Sequence, residues 1–119
     1  MPKRANRTYT PPPDKAITHR ALILAAIADG TTRIINPSFC EDTLATAACL
    51  KKLGVGIKFS KKNLRVEGRG LKNLKKPAGP LNAGESGTTM RLLTGLLAGQ
   101  DFDSVITGRG SLLKRPMLR

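Results

Sequence analysis

The feature that most constrains the fold of this chain is a continuous apolar segment at residues 21–28. On a helix these side chains point in every direction, and only the turn before them, residues 18–20, is polar. A helix that is apolar on all sides is stable only when other elements cover it. The sequence therefore predicts a buried helix over residues 17–28, and the rest of the chain must supply its cover.

Residues that stop or cap regular structure mark the borders of this helix. Three prolines at positions 11–13 exclude a helix there and predict an extended segment over residues 1–13. Asp14 can accept hydrogen bonds from the first free N–H groups of the helix, and Gly30 follows its end. The first helix is thus expected to begin directly after Asp14.

Strand patterns follow this helix. Residues 31–35 are rich in β-branched side chains, and residues 55–60 and 64–67 alternate apolar with polar side chains. A short polar turn separates the last two, which predicts a β-hairpin, and all three strands are expected in one sheet. A fourth short strand is predicted at residues 104–107.

Two further helices alternate with the strands. Ser38 and Glu41 have the spacing of a capping box and predict the start of the second helix, which Gly54 ends. Ser86 predicts the start of a third helix over residues 87–98. Helices packed on a sheet in this order predict an α/β (α+β) fold.

The chain carries a formal net charge of +13 at pH 7, and its basic residues concentrate in one segment. Residues 61–76 hold seven lysines and arginines and one glutamate. Such an excess is typical of proteins with anionic partners, including nucleic acid, but it is also typical of a solvated loop. The segment has no aromatic side chains to stack on single-stranded bases. Nucleic acid is therefore an unfavoured partner.

Several classes of protein do not fit the sequence. No run approaches the roughly 18–20 apolar residues that cross a bilayer, and residues 1–10 lack the hydrophobic core of a secretory signal. Cys40 and Cys49 are too few for a disulfide framework and have no partners for a metal site. We expect a cytoplasmic protein without membrane contact, with no metal and no cofactor.

Cationic side chains lie near the starts of two predicted helices. Lys15 and Arg20 belong to the first two turns of the first helix, and Gly87 and Arg91 to those of the third. A helix start has free N–H groups and a partial positive charge, and glycine lets a ligand approach the backbone. These positions suit a phosphate or a carboxylate. Ordinary capping by Ser86 explains the third helix equally well, since no P-loop signature follows.

Four motifs along the chain occur together in one family. They are DKAITHRAL at residues 14–22, EDT at 41–43, GTTMRL at 87–92 and KRPM at 114–117. With these motifs in this order, the sequence resembles the amino-terminal portion of EPSP synthase (3-phosphoshikimate 1-carboxyvinyltransferase). The related UDP-N-acetylglucosamine enolpyruvyl transferases match the first and last motifs less well.

The resemblance implies an enzyme of two domains, built from βαβαββ units that form an inside-out barrel. Residues 14–76 would be the first unit and residues 77–119 an incomplete second one. The implied reaction transfers the enolpyruvyl group of phosphoenolpyruvate to shikimate 3-phosphate, in the shikimate pathway of aromatic amino acid biosynthesis, and releases phosphate. The acid and base residues would lie in the missing part, so this chain would hold no catalytic residue and would be inactive alone.

The resemblance also implies the residues that bind the two substrates, which are Lys15, Ala16, Arg20, Gly87, Arg91 and Arg115. Lys15 would contact both substrates, and Arg20 would bind the phosphate group of shikimate 3-phosphate. The Gly87 backbone, Arg91 and Arg115 would hold phosphoenolpyruvate.

Three positions depart from the family pattern. Ala16 replaces a serine that donates to substrate oxygens, Glu85 replaces an asparagine, and Arg109 replaces an acidic residue. A lost donor or a misplaced charge costs roughly 1–3 kcal/mol in a desolvated site. The resemblance assigns His19, which lies within the first motif, a structural role and not that of a general base.

Three interpretations follow from these observations. The first is a truncated enolpyruvyl transferase that needs the missing remainder of the enzyme as its partner. The second is a small basic nucleic-acid-binding protein, and the third is an isolated folding module without activity. The retained motif residues favour the first, because a nucleic-acid-binding protein has no need for that arrangement.

Overall fold

Helices and strands alternate through most of the chain in a computed structural model. The structure describes residues 8–116, so residues 1–7 of the predicted extended segment and residue 117 of the last motif lie outside it. Residues 8–14 form neither helix nor strand. The elements that follow are α1 (Lys15–Ile27), β1 (Asp29–Ile35), α2 (Glu41–Lys52), β2 (Gly56–Ser60), β3 (Asn63–Arg69), β4 (Leu81–Asn82), α3 (Gly87–Ala98), β5 (Ile106–Thr107) and a 3₁₀ helix (Gly110–Lys114).

The strands β1, β2 and β3 form one antiparallel sheet with the order β1-β3-β2, as predicted. Val66 on the central strand pairs with Thr32 on one side and with Ile57 on the other. Val66 and Ile57 are buried, so one face of the sheet carries the core and the other faces solvent. The predicted hairpin is confirmed, because β2 and β3 are joined by the turn between Ser60 and Asn63.

A second, smaller sheet consists of β4 and β5, which are parallel. Leu81 pairs with Ile106, and Asn82 pairs with Thr107. Parallel neighbours need a crossover connection, and α3 provides it. The sequence did not predict β4, and β5 holds only the last two residues of the strand predicted at 104–107.

The core forms where α1 lies against β3 and where α2 and α3 pack against α1. Leu22 of α1, Leu50 of α2, Leu53 after it and Leu93 of α3 are at most 1% exposed. They belong to one cluster with the buried side chains of the sheet. Burying one leucine side chain stabilises a protein by about 1.5–3 kcal/mol, so this cluster is the main source of stability.

The expectation that α1 is buried on all sides is wrong. Leu22 is 1% exposed, but Leu24 is 64% and Ile17 69% exposed. The reason is that β3, α2 and α3 cover α1 on the side of Leu22, and residues 8–116 leave these other side chains uncovered. Ile17 borders an open cleft of about 650 Å³ together with Ile35 and the prolines at 11–13.

The predicted capping box of Ser38 and Glu41 is also wrong. The helix α2 begins at Glu41, with Cys40 as its N-cap. The Cys40 N–H donates to Thr43 Oγ1 at 3.1 Å, and the same hydroxyl donates to the Ser38 carbonyl oxygen at 2.7 Å. Because the helix begins at Glu41, Thr43 is its third residue and takes the role predicted for Glu41.

Two further observations concern the whole described part. In residues 8–116 no helix combines the length and the apolar character that crossing a bilayer requires. Cys40 and Cys49 are free thiols. Burial raises the pKa of the Cys49 thiol, which keeps that thiol protonated at neutral pH.

Candidate anion-binding site

Hydrogen bonds fix the first turn of α1 on both sides of Lys15. Asp14, the N-cap, accepts a hydrogen bond from the Ile17 N–H at 2.8 Å through Oδ1. The Thr18 hydroxyl donates to the Asp14 carbonyl oxygen at 2.7 Å and accepts from the Ser38 N–H at 2.9 Å. The helix start is therefore bound to the loop before α2, and Lys15 extends from a turn that is held in place.

Lys15 forms an ion pair with Asp42 in the first turn of α2. Its Nζ donates to Asp42 Oδ2 at 2.8 Å, and both side chains are partly exposed. The hydrogen bond from Lys15 to Asp42 and the charge of that carboxylate raise the pKa of Lys15 above its ordinary value of 10.5. The amine is therefore charged at neutral pH. Nothing in the local sequence pattern predicts this contact between two helix starts.

Gly87 opens α3, and the side chain of Arg115 lies directly on it. Ser86 caps the helix by accepting from the Thr89 N–H at 3.1 Å, as the sequence predicts. Arg115 Nη1 lies 2.7 Å from the point where a Cβ on Gly87 would stand. A side chain at this position would require the Arg115 guanidinium to move away from the backbone.

The residues that meet at the helix starts, called the cationic site below, are Lys15, Gly87, Arg91 and Arg115. Asp42 has the larger effect on Lys15 and raises its pKa. The charge of Arg115 lowers the same pKa, so the two cations are within electrostatic range. Arg91 Nη2 donates to the Pro116 carbonyl oxygen at 3.5 Å, directly after Arg115 in the chain. Arg115 thus lies against the start of α3, and Lys15 is paired with Asp42 at the starts of α1 and α2, whereas the contact of Arg91 is with the backbone that follows Arg115.

Arg20 and Ala16, the other two predicted site residues, contact each other on α1. Arg20 Nη1 donates to the Ala16 carbonyl oxygen at 3.0 Å, so the guanidinium folds back toward the first turn. Within residues 8–116 no hydrogen bond or ion pair links Arg20 to the cationic site. Ala16 is exposed and has no polar side-chain atom. The sequence-predicted set is thus only partly joined by contacts.

The two charged departures from the family pattern, Glu85 and Arg109, have partners outside the cationic site. Glu85 Oε1 accepts from the Ser111 N–H at 3.1 Å. Arg109 Nη2 lies 3.9 Å from Glu41 Oε2 in an exposed ion pair. With Asp42, these charged residues border a cleft of about 440 Å³. Three carboxylates and one guanidinium make this cleft unsuited to a polyanion.

A row of buried polar side chains runs from α1 to the start of α3, and the sequence did not reveal it. His19 Nδ1 lies 2.7 Å from Thr46 Oγ1, and Thr46 Oγ1 lies 2.7 Å from Thr89 Oγ1. Thr89 Oγ1 donates to Ser86 Oγ at 2.7 Å. All four residues are at most 2% exposed. Burial lowers the pKa of His19 below its ordinary value of 6.5, so the ring is neutral at neutral pH.

Comparison with known proteins gives one consistent result. The family model described as EPSP synthase (3-phosphoshikimate 1-carboxyvinyltransferase) matches residues 1–119. The chain is 50% identical over 109 residues to the 3-phosphoshikimate 1-carboxyvinyltransferase of Methylococcus capsulatus, and 53% identical over 113 residues to that of Pelotomaculum thermopropionicum. These alignments cover 91% and 94% of this chain, but 25% and 26% of the two relatives. The chain thus spans about a quarter of the length of these relatives.

The fold agrees with the sequence comparison. The solved structure of EPSP synthase from Acinetobacter baumannii matches this structure with a TM-score of 0.87 and 46% sequence identity. The match covers 92% of this chain and 25% of that one. This chain therefore belongs to the EPSP synthase (3-phosphoshikimate 1-carboxyvinyltransferase) family and forms part of its mixed α/β enolpyruvyl transferase fold.

Proposed function

We propose that this chain forms part of the substrate site of an enzyme that transfers the enolpyruvyl group of phosphoenolpyruvate to shikimate 3-phosphate and releases phosphate. The observation that carries the proposal is the guanidinium of Arg115 on the Gly87 backbone, with Lys15 within electrostatic range. Both substrates are polyanions, and a helix start combined with an arginine is a strong binding arrangement for phosphate and carboxylate. Membership of the family supplies the reaction.

The start of α3 offers backbone donors as well as charge. Within residues 8–116 no acceptor contacts the N–H groups of Gly87 and Thr88, whereas Ser86 accepts from the Thr89 N–H. Free N–H groups at a helix start carry a partial positive charge. A phosphate or carboxylate between Arg115 and these amides would accept hydrogen bonds from both.

The assignment of substrates to residues follows the family. Lys15 would contact both substrates, because it lies at the start of α1 and within range of Arg115. Arg20, whose guanidinium lies at the first turn of the same helix, would bind the phosphate of shikimate 3-phosphate. Gly87, Arg91 and Arg115 would hold phosphoenolpyruvate.

The departures at Ala16 and Glu85 affect this proposal differently. Ala16 provides no hydroxyl, so the bound shikimate 3-phosphate would lack one donor, at a cost of roughly 1–3 kcal/mol. The Glu85 carboxylate already accepts from the Ser111 N–H. This bond offsets part of the cost of a negative charge next to an anion site.

The remainder of a longer protein would complete the site. This chain spans about a quarter of its relatives, and we assign it none of the acid and base residues. Ile17 and Leu24 leave apolar surface that the remainder would cover. The 119-residue chain alone is therefore expected to bind anions weakly and not to transfer the enolpyruvyl group. Its two free thiols suit a reducing cytoplasm, which is the compartment we propose.

NMR titration of the 119-residue chain with phosphate, phosphoenolpyruvate and shikimate 3-phosphate tests the proposal. We expect the largest amide shifts at residues 87–91 and much weaker binding in the variant Arg115→Gln. The matched control is Arg65→Gln, which removes an equal charge from the exposed face of β3. Shifts centred on residues 61–76, with 87–91 unchanged, would mean that the basic residues of this segment bind the anions and would overturn the proposal.

A further inference from the structure

We propose that His19, Thr46 and Thr89 form a directed row of hydrogen bonds that positions the start of α3 for anion binding. Three contacts of 2.7 Å join one side chain from each helix and end at Ser86, the N-cap of α3. These residues are buried and are not part of the cationic site, so they are positioning residues. The inference that this site binds an anion rests on the proposed function, but the hydrogen bonds of the row do not depend on it.

The direction of the row follows from the one ring atom that has no partner. His19 Nε2 is buried and makes no hydrogen bond within residues 8–116. If Nδ1 accepted from Thr46, Nε2 would carry a buried N–H without an acceptor. Buried backbone N–H groups without a partner are rarer than under-satisfied carbonyl groups, and we apply the same order to the ring nitrogens. The proton therefore belongs on Nδ1, and His19 donates to Thr46, which donates to Thr89.

The far end of the row connects the two elements that build the cationic site. The Thr89 hydroxyl donates to Ser86 Oγ at 2.7 Å and lies 3.2 Å from the Asp42 carbonyl oxygen. Ser86 caps the helix that presents Gly87, and the Asp42 side chain holds Lys15. One buried hydroxyl thus donates to the N-cap of α3 and lies next to the backbone of the residue that pairs with the Lys15 amine.

The hydrogen bonds of the row hold the start of α3 in a defined orientation. The start of α3 is held against α1 and α2 by hydrogen bonds, which depend on direction as well as distance. Apolar packing alone is less directional and would let the first turn of α3 shift. We therefore expect loss of one hydroxyl to change the anion site before it changes the fold.

The first test needs no ligand. The chain has a single histidine, so its two ring nitrogens give isolated signals in a long-range ¹H–¹⁵N NMR spectrum above its pKa. We expect the proton on Nδ1. A proton on Nε2 would reverse the row and overturn the proposal, and this measurement stands even where a variant fails to fold.

The second test compares variants at Thr46 with a control on α3. Thr46→Val keeps the shape of the side chain and breaks two contacts, whereas Thr46→Ser keeps the hydroxyl. Thr94→Val is the control, because the Thr94 hydroxyl is exposed and donates only within its own helix, to the Met90 carbonyl oxygen at 2.7 Å. The readouts are the amide shifts of residues 87–89 and the affinity for inorganic phosphate.

We expect Thr46→Val to shift the amides of residues 87–89 and to weaken phosphate binding about three- to tenfold. Thr46→Ser should restore both, and Thr94→Val should change neither. If Thr46→Val lowers only the unfolding midpoint and leaves both readouts as in Thr94→Val, the row is ordinary core and the proposal fails. If the wild-type chain does not bind phosphate, the proposed function fails, and the amide shifts still decide the role of the row.

Discussion

Arg115 Nη1 lies 2.7 Å from the point where a Cβ on Gly87 would stand. The guanidinium therefore lies in the space that a side chain at Gly87 would fill, at the start of α3. This contact joins the start of a helix to a residue that follows the 3₁₀ helix near the end of the described chain. A single methyl group at Gly87 is enough to test what the contact contributes.

We expect Gly87→Ala to weaken phosphate binding at least about tenfold. The methyl displaces Arg115 from the backbone, and a hydrogen bond to a charged group is worth about 1.5–3 kcal/mol. The matched control is Gly95→Ala in the same helix, where a Cβ meets open space. That variant should raise the free energy of unfolding by about 0.5–1 kcal/mol and leave the affinity unchanged. Phosphate titration and urea unfolding measure both quantities, and equal affinities in the two variants would contradict the prediction.

The ion pair between Lys15 and Asp42 limits the positive charge that the cationic site presents. We expect Asp42→Asn to bind phosphate a few-fold more tightly at low salt, because a like charge leaves the neighbourhood of the anion. The gain should shrink at high salt, since both side chains are partly exposed. Glu41→Gln, which removes the neighbouring carboxylate, is the control. Calorimetric titration at two salt concentrations measures the effect; weaker binding would mean that Asp42 acts mainly by orienting Lys15.

The buried His19 ring predicts a loss of stability in mild acid. Because burial lowers its pKa in the folded chain, the unfolded chain binds a proton first as the pH falls. The contribution of the neutral His19 ring to the free energy of unfolding is complete above pH 6.5, the ordinary pKa of histidine. It is lost as the pH falls from there through the folded pKa, at up to about 1.4 kcal/mol per pH unit.

Urea unfolding of the wild-type chain and of His19→Asn across this pH range isolates the contribution of the ring. Carboxylates affect both proteins equally, so the difference between the two slopes belongs to His19. We expect the wild-type free energy of unfolding to fall more steeply below pH 6.5. Parallel curves would show that the ring titrates alike in both states.

Three cations lie side by side on the solvent face of the larger sheet. Arg33 on β1 pairs with Arg65 on β3, which pairs with Lys58 on β2. Like charges directly opposite each other destabilise a sheet, so Arg65→Gln should raise the free energy of unfolding by roughly 0.2–1 kcal/mol at low salt. The gain should vanish at high salt. Lys72→Gln, in the exposed loop, controls for net charge; an equal effect of both variants would rule out the cross-strand explanation.

The one-sided cover of α1 predicts different results at two leucines that are two residues apart and lie on different sides of the helix. Leu22→Ala should lower the free energy of unfolding by about 2–5 kcal/mol, because it leaves a cavity in the core. Leu24→Ala, at a side chain that is 64% exposed, should change it by at most about 0.5 kcal/mol. Urea unfolding compares the two directly. A large loss for Leu24→Ala would mean that α1 is covered on both sides in solution.

Features that depend on neighbours in sequence could be predicted from the sequence alone. The helix α3 has the predicted bounds, and its cap joins Ser86 to Thr89, only three residues apart. The three strands of the larger sheet were predictable from side-chain alternation and β-branched content. The family motifs likewise identified Lys15, Gly87 and Arg115 as candidates for one site, because each motif is a short continuous segment.

Only the tertiary structure decided which distant side chains meet. Lys15 with Asp42, and Thr46 with Thr89, are 27 and 43 residues apart, and no local pattern encodes such pairs. The N-cap of α2 is Cys40 and not the predicted Ser38, and the Thr43 side chain bonds to the backbone of both. Leu24 is exposed although it is as apolar as the leucines of the core. Burial depends on which elements cover a helix and not on the helix itself.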